Sequence, residues 1–340
     1  MNEQNLIYDW NTVDYEYSRD SSNHPHDVWF DDETLRDGLQ SPSALNPTIE
    51  QKIELLTYME KLEIQKVDLG LPGAGPFHLE HIDAMLSHIK ENDFKIRPGA
   101  AVRTLMHDIE PLVELQSKHE MQIQASAFLG TSPIRQFTEG WTMDKLVATM
   151  EKAVSFAVEN DIPVMFVTED TTRSKPEDIK LIYQRAMDLG VRRLCICDTC
   201  GHVTPNGVKQ LLSFIDEEVI KDGGYQRREI EVNWHGHQDR GLGVVNNIAA
   251  FESGADVIHG TALGIEFRIQ TPTGRFVDIN DYDNALRYIT SSYTPSVKFT
   301  ARETGQHLFR WTFFASGSGV QSSGSIDNFK IEAPLGNLKL

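Results

Sequence analysis

Arg36 and Asp37 stand side by side in Asp31-Asp32-Glu33-Thr34-Leu35-Arg36-Asp37-Gly38-Leu39-Gln40, directly after the apolar run Val28-Trp29-Phe30. That run reads as a buried strand, so a cation and an anion meet where the strand stops. Far downstream, His235-Gly236-His237 closes another β-prone stretch. Residues two apart on a strand point the same way, so both imidazoles can face one ion, with Gly236 leaving room between them. Two histidines and a carboxylate hold a divalent ion and leave positions open for substrate. Asp37, His235 and His237 are therefore the candidate metal ligands.

Elements must bring these residues together. Strands are expected at 28–33, 65–69, 96–102, 121–128, 162–167, 192–197, 229–235 and 255–259, with helical patterns at 47–62, 78–92, 107–119, 141–159, 176–188, 205–219 and 241–253. Asn46, Thr142 and Ser174 are expected N-caps, and Gly190 and Gly254 sit where helices end. Eight strands alternating with helices predict an α/β fold, a (β/α)8 TIM barrel. A doubly wound open sheet is the competing architecture, but no Gly-x-Gly-x-x-Gly opens a helix after the first strand. Residues 1–26 read as an N-terminal arm lying on the barrel or on a partner subunit, 27–290 as the catalytic barrel, and 291–340 as a small C-terminal extension.

In a barrel of this kind chemistry sits at the C-terminal strand ends, and here those ends are polar in turn. They carry Arg36, Asp37 and Gln40; Asp68; Arg103; Thr131 to Arg135; Glu169-Asp170; Asp198-Thr199; and His235-x-His237. Plainer roles stand beside this one. Arg103 can pair with an acidic neighbour, Glu169 and Asp170 can cap the next helix, and Asp198 can hold a turn. His24, His26, His78, His107 and His119 fall on segments expected at the surface.

Composition narrows the partners. The formal charge of −18 argues against nucleic acid and anionic membrane, and no apolar run approaches the roughly 20 residues of a membrane span. Met1-Asn2-Glu3-Gln4 lacks the order of a signal peptide. The three cysteines, Cys195, Cys197 and Cys200, form no disulfide framework and suit a reducing cytoplasm. Cys195 and Cys197 share one strand face, so packing is a better reading than a thiolate metal site.

Asp32-Glu33-Thr34-Leu35-Arg36-Asp37-Gly38-Leu39-Gln40 resembles the first-strand motif of the metal-dependent pyruvate carboxyltransferase-like barrels. That group holds the 2-isopropylmalate, citramalate and homocitrate synthases and 3-hydroxy-3-methylglutaryl-CoA lyase. His235-Gly-His237-Gln-Asp239-Arg-Gly241 and Gly254-Ala-Asp256-x-Ile258-x-Gly260-Thr are similar to later motifs of the group, in the same order, over about residues 28–275. The resemblance implies metal ligation by Asp37, His235 and His237, and an Arg36 that stabilises the enolate or the reacting carbonyl oxygen. It further implies an acidic active-site Glu169, a Thr199 that binds the 2-oxo acid carboxylate, and a Gln40 close to the metal waters.

The tail favours the condensing members. Phe314-Ala-Ser-Gly-Ser318-Gly319-Val-Gln321-Ser-Ser-Gly324 is similar to a segment that follows their barrels, and no cysteine lies beyond Cys200 to match the cleaving lyase. There are departures. The histidine of that segment is Gln321, which has no acid–base chemistry near neutral pH, and a Gly-Glu-Arg-x-Gly-Asn stretch reads Glu266-Phe-Arg268-Ile-Gln-Thr271. A Thr-Ser-x-x-His reads Thr131-Ser-Pro-Ile-Arg135, and the arginine suggests an extra carboxylate or a phosphonate on the substrate.

The function expected from these residues is metal-dependent Claisen-type condensation of an acyl-CoA, foremost acetyl-CoA, with a 2-oxo acid. Mg2+, Mn2+ or Zn2+ would serve as cofactor, Arg36 and Glu169 as catalytic residues, and Gln40, Arg103, Arg135 and Thr199 as substrate-binding residues. Carbon–carbon cleavage at the same site and a non-catalytic metal-binding barrel are the alternatives. The resemblance also implies a homodimer.

Overall fold

The computed structural model describes residues 8–10, 28–40 and 46–261, together with the backbone of strands at 265–270, 276–278 and 308–313. Eight strands, β1 (Trp29–Asp32), β2 (Lys66–Asp68), β3 (Arg97–Arg103), β4 (Gln124–Gly130), β5 (Val164–Glu169), β6 (Arg193–Asp198), β7 (Glu231–Gly236) and β8 (Val257–Gly260), pair in chain order and close into a barrel. Every pairing is parallel, and β1 seals against β8 with Trp29 opposite Val257 and Asp32 opposite Gly260. The fold is the expected (β/α)8 TIM barrel.

Helices α1 (Ile49–Lys61), α2 (Pro76–Glu91) and α3 (Met106–His119) occupy the first three crossovers. A short helix the periodicity did not predict, α4 (Pro133–Glu139), precedes α5 (Met143–Glu159). It spans too few residues for an apolar repeat to register. The remaining helices are α6 (Pro176–Asp188), α7 (Pro205–Phe214), which runs into a π-helical turn at Ile215–Lys221, and α8 (Gly243–Glu252).

Caps explain the small shifts from expectation. Thr48, not Asn46, caps α1, because Thr48 and Gln51 satisfy each other's backbone amides in a capping box. Ser174 does not cap α6. Its hydroxyl lies 3.0 Å from Thr131 Oγ1 and donates to the Asp170 carbonyl, leaving Lys175 at the cap. Thr142 caps α5 as expected, and Gly190 and Gly254 adopt φ of 102° and 84°, which favours a residue without Cβ.

The period-two alternation of strands sorts two different interiors. Phe166, Leu194, Ile196, Val232 and Trp234 face outward into the main apolar core with helix residues such as Leu146, Val154, Ile179 and Ile182. Burial of each such side chain is worth about 1.5–3 kcal/mol, so this shell carries the fold. Inside the barrel the alternate residues divide between a polar group and a small apolar cluster. Lys66 on β2 reaches across to pair with Glu231 on β7, and Glu231 Oε1 accepts from Asn233 Nδ2 at 3.0 Å. Cys195 and Cys197 are buried beside Met165 and Val167, in the packing role expected for them.

Part of the N-terminal arm lies on the barrel. Trp10 is fully buried, its ring 5.1 Å from that of Phe214, and its indole Nε1 donates to the Ser174 carbonyl. His119 is not at the surface. It is buried, with Nε2 2.7 Å from Asp83 Oδ1, because the last turn of α3 leans on α2. Beyond the barrel, β9 (Ile265–Gln270), β10 (Phe276–Asp278) and β11 (Leu308–Phe313) form an antiparallel sheet in the order β10-β9-β11, joining strands from either side of residue 290. His24, His26 and the tail motif around Gln321 lie outside the described residues. Among the described residues no helix is long and apolar enough to cross a membrane.

Candidate active site

The chain leaves β1 in a tight turn that aims Arg36 and Asp37 across the barrel mouth. Glu33 N donates to the Gly260 carbonyl, anchoring the turn to β8, and the Glu33 carbonyl accepts from the amides of Arg36 and Gly38. Asp32 Oδ1 caps the amide of Thr34 at 2.8 Å, while Leu35 packs into the core beneath. Burial raises the Asp32 carboxyl to about 6 against the Thr34 hydrogen bonds.

One strand beyond β8, β7 presents His235 and His237. Gly236 is required between them, since a Cβ there would sit 2.7 Å from the indole nitrogen of Trp234. The two Nε2 atoms lie 3.1 Å apart. Asp37 Oδ2 is 3.5 Å from His237 Nε2 and 3.9 Å from His235 Nε2. Ligands about 2.1 Å from one ion stand roughly 3 Å apart at right angles and about 3.4 Å apart in a tetrahedron, so this trio fits a single divalent ion. The expected ligands converge.

Arg36 is locked among carboxylates. Its Nε donates to Glu33 Oε2 at 2.9 Å, Nη2 donates to the same oxygen, Nη1 donates to Asp37 Oδ1 at 3.1 Å, and Nε lies 3.6 Å from Asp68 Oδ2. Burial works against its charge, but Glu33, Asp68 and Asp37 more than compensate and raise its basicity. Burial, followed by the charge of Glu33, lifts the Asp68 carboxyl to about 7. Glu33 itself is held well below the carboxylate range: burial opposes its charge, but Arg36 and the imidazoles of His235 and His259 outweigh it. Carboxylates outnumber the fixed cations around this turn, an arrangement that favours a bound cation.

The other expected site residues are spread around the same mouth. Glu169 ends β5, with Oε2 3.8 Å from Arg135 Nη2. Arg135, on α4, also pairs with Glu139 at 3.1 Å and lies over the ring of Trp141. Thr199 accepts the Asp170 amide at 2.9 Å through its hydroxyl oxygen, which leaves the hydroxyl proton to donate. Gln40 is exposed at the end of the 3-10 turn Gly38–Gln40. Arg103 has its Nε and Nη2 taken by buried Asp108, at 2.7 and 2.8 Å.

Two of the plainer roles are resolved. Asp198 Oδ1 accepts from Thr172 Oγ1 and from the amides of His202 and Val203, so it holds the turn after β6. Asp170 does not cap α6; it stands before the 3-10 turn Thr171–Arg173 without a side-chain cap bond. It takes a left-handed φ of 62° and binds Arg173 through both carboxylate oxygens.

Glu33 and His259 escaped the sequence reading. Glu33 follows Asp31 at strand spacing and therefore points inward, and His259 interrupts the apolar run of β8. Those were the available signals.

With this geometry established, comparisons with known proteins bear on it. The HMGL-like family model matches residues 27–268. A 2-isopropylmalate synthase of Lactococcus lactis is 31% identical over 241 residues, 70% of this chain and 44% of that protein. A homocitrate synthase of Saccharolobus islandicus is 28% identical over 239 residues, 70% of this chain and 49% of that protein. The chain thus spans less than half the length of these synthases. Among solved structures, the HMG-CoA lyase of Brucella melitensis superposes with a TM-score of 0.55 at 17% identity, covering 74% of this chain and 87% of that one, which is a likeness of fold. The chain belongs to the HMGL-like family.

Proposed function

We propose that this protein condenses an acyl-CoA with a 2-oxo acid, making a carbon–carbon bond between the acyl methyl carbon and the ketone. The observation that carries this reading is the convergence of Asp37, His235 and His237 beside Arg36, in a chain whose sequence relatives include condensing synthases. A divalent ion held by Asp37, His235 and His237, with Mg2+, Mn2+ and Zn2+ as candidates, supplies Lewis acidity toward the 2-oxo acid.

The chain's own residues do the rest. Glu169 accepts the proton that leaves the acyl methyl group. The resulting carbanion attacks the ketone carbon, and the negative charge that develops on the ketone oxygen is met by the fixed guanidinium of Arg36, already oriented by Glu33 and Asp37. Thr199 donates its hydroxyl proton to the acid's carboxylate, and Gln40 and Arg103 line the approach. The alkoxide takes a proton from water, the hydroxide cleaves the thioester, and Glu169 returns its proton, releasing CoA thiol and a hydroxy diacid. Arg135 offers a fork to a second acidic group on the acceptor.

Acetyl-CoA labelled with 13C at the methyl carbon, incubated with a panel of 2-oxo acids, tests the bond-forming step. The label should move into a methylene next to a new quaternary carbon. Label found only in free acetate would rule out condensation, and turnover only in the cleavage direction would assign the lyase reaction instead.

A further inference from the structure

Beneath the metal-ligand face lie Glu33 and His259, both buried. Glu33 is 4% exposed and His259 3%. The oxygens of Glu33 face in different directions. Oε2 accepts from Arg36 Nε and Nη2, whereas Oε1 lies 2.9 Å from His259 Nδ1 and 3.4 Å from His235 Nδ1. A carboxylate oxygen only accepts, so an Nδ1 that bonds to Oε1 does so as the donor; the two Nδ1 atoms also lie 3.3 Å from one another. With its proton on Nδ1, His235 keeps the Nε2 lone pair free on the side of His237 and Asp37.

His259 is fixed in turn. Its Nε2 is 3.3 Å from Asn233 Oδ1, and the amide nitrogen of Asn233 is held by Glu231 Oε1 at 3.0 Å. Glu231 is paired with Lys66. The polar barrel interior therefore runs as one chain of contacts from Lys66 up to the candidate metal ligand.

We infer that Glu33 and His259 are positioning residues that set the tautomer and ring orientation of His235, and that Glu33 does so while aiming Arg36. The inference rests on the metal site proposed above. Metal-bound histidines commonly pass their second N–H to a carboxylate, and loss of that partner weakens metal binding. Here the carboxylate carries a second duty, because its other oxygen holds the cation that faces the reacting oxygen. Glu33, His235 and His259 are also close enough together to hold an ion themselves. That alternative is weaker, since Arg36 already meets the charge of Glu33 through Oε2 and an ion there would need both Nδ1 atoms without protons.

The test uses the full chain. Mn2+ affinity is read by equilibrium dialysis, and the visible spectrum of the Co2+-loaded protein is recorded for wild type, Glu33→Gln, His259→Leu and His259→Gln. Glu33→Gln should weaken Mn2+ binding about tenfold to a hundredfold and shift the Co2+ bands. His259→Leu should act in the same direction, and His259→Gln, whose amide still donates to Glu33, should recover to within about threefold of wild type. A purely structural role would lower thermal stability and leave the Co2+ spectrum alone. If Glu33→Gln does not fold, the two His259 variants carry the comparison. Folded variants with wild-type Mn2+ affinity and an unchanged Co2+ spectrum would overturn the inference while leaving the metal site intact. A wild-type protein that takes up neither ion would overturn the metal site as well.

Discussion

His235 Nε2 lies 3.1 Å from His237 Nε2, with Asp37 Oδ2 within 3.9 Å of both. Three ligand atoms at that spacing store binding energy for a cation, and an ion bound only by the folded state adds to stability. Mn2+ at about a hundred times its Kd should add about 2.7 kcal/mol, or roughly 4 °C in Tm for a chain of this length. Differential scanning fluorimetry of wild type and Asp37→Ala checks this, with the variant expected to show little shift.

Arg36 should matter to turnover far more than to metal content. In the proposed reaction it faces the developing charge and ligates nothing, so Arg36→Gln is expected to lower kcat by about 10²–10³ while metal analysis stays near wild type. Equal loss of both would contradict the role given to the guanidinium.

Asp32 makes stability depend on pH. Its carboxyl is raised from 3.8 to about 6 by burial, so the folded state binds the proton more tightly than the unfolded chain. Its contribution is fully present below pH 3.8 and is lost as pH rises through 6. Asp32→Asn removes the ionisable group and keeps an acceptor for the Thr34 amide. The variant should gain about 1–3 kcal/mol at pH 7, the lower figure allowing for residual solvent contact, and the gain should vanish near pH 4. Urea unfolding at the two pH values measures it.

Trp10 fastens the arm. Truncating a fully buried tryptophan costs about 3–5 kcal/mol, so Trp10→Ala should lower Tm clearly with Mn2+ affinity unchanged. Its indole is held by Ser174 and Phe214, away from the residues of the metal site.

The sequence made much of this legible, for identifiable reasons. Barrel strands announce themselves because their outward residues, Val232 and Trp234 among them, must be apolar, and His-x-His at a strand end has few structural uses. Asp37 is legible from its place at the end of the first strand together with the motif around it. Glu33 and His259 were not legible, because their roles depend on which strands become neighbours, and β1 meets β8 only when the sheet closes. Arg103 was ambiguous from sequence, since an arginine at a strand end pairs as readily with a neighbour such as Asp108 as with a ligand. Helix α4 fell below the length at which periodicity registers.

Arg135 should govern the acceptor. Its side chain is 40% exposed at the mouth beside Glu169. Arg135→Ala is expected to lower kcat/KM for a 2-oxo acid bearing a second acidic group by about tenfold to a hundredfold, the worth of a charge-assisted hydrogen bond. A monocarboxylic 2-oxo acid should be nearly unaffected. Equal losses on both acceptors would assign Arg135 to the folding of its loop.

The central claim is tested most directly by free-thiol release from acetyl-CoA in the presence of Mn2+ and each member of a 2-oxo acid panel, dicarboxylic and phosphonate members included. EDTA treatment and Asp37→Ala serve as controls. The account predicts thiol release that requires both the metal and one particular acceptor and is abolished in Asp37→Ala. Silence across the panel from protein that demonstrably holds Mn2+, or release that ignores the acceptor, would contradict it.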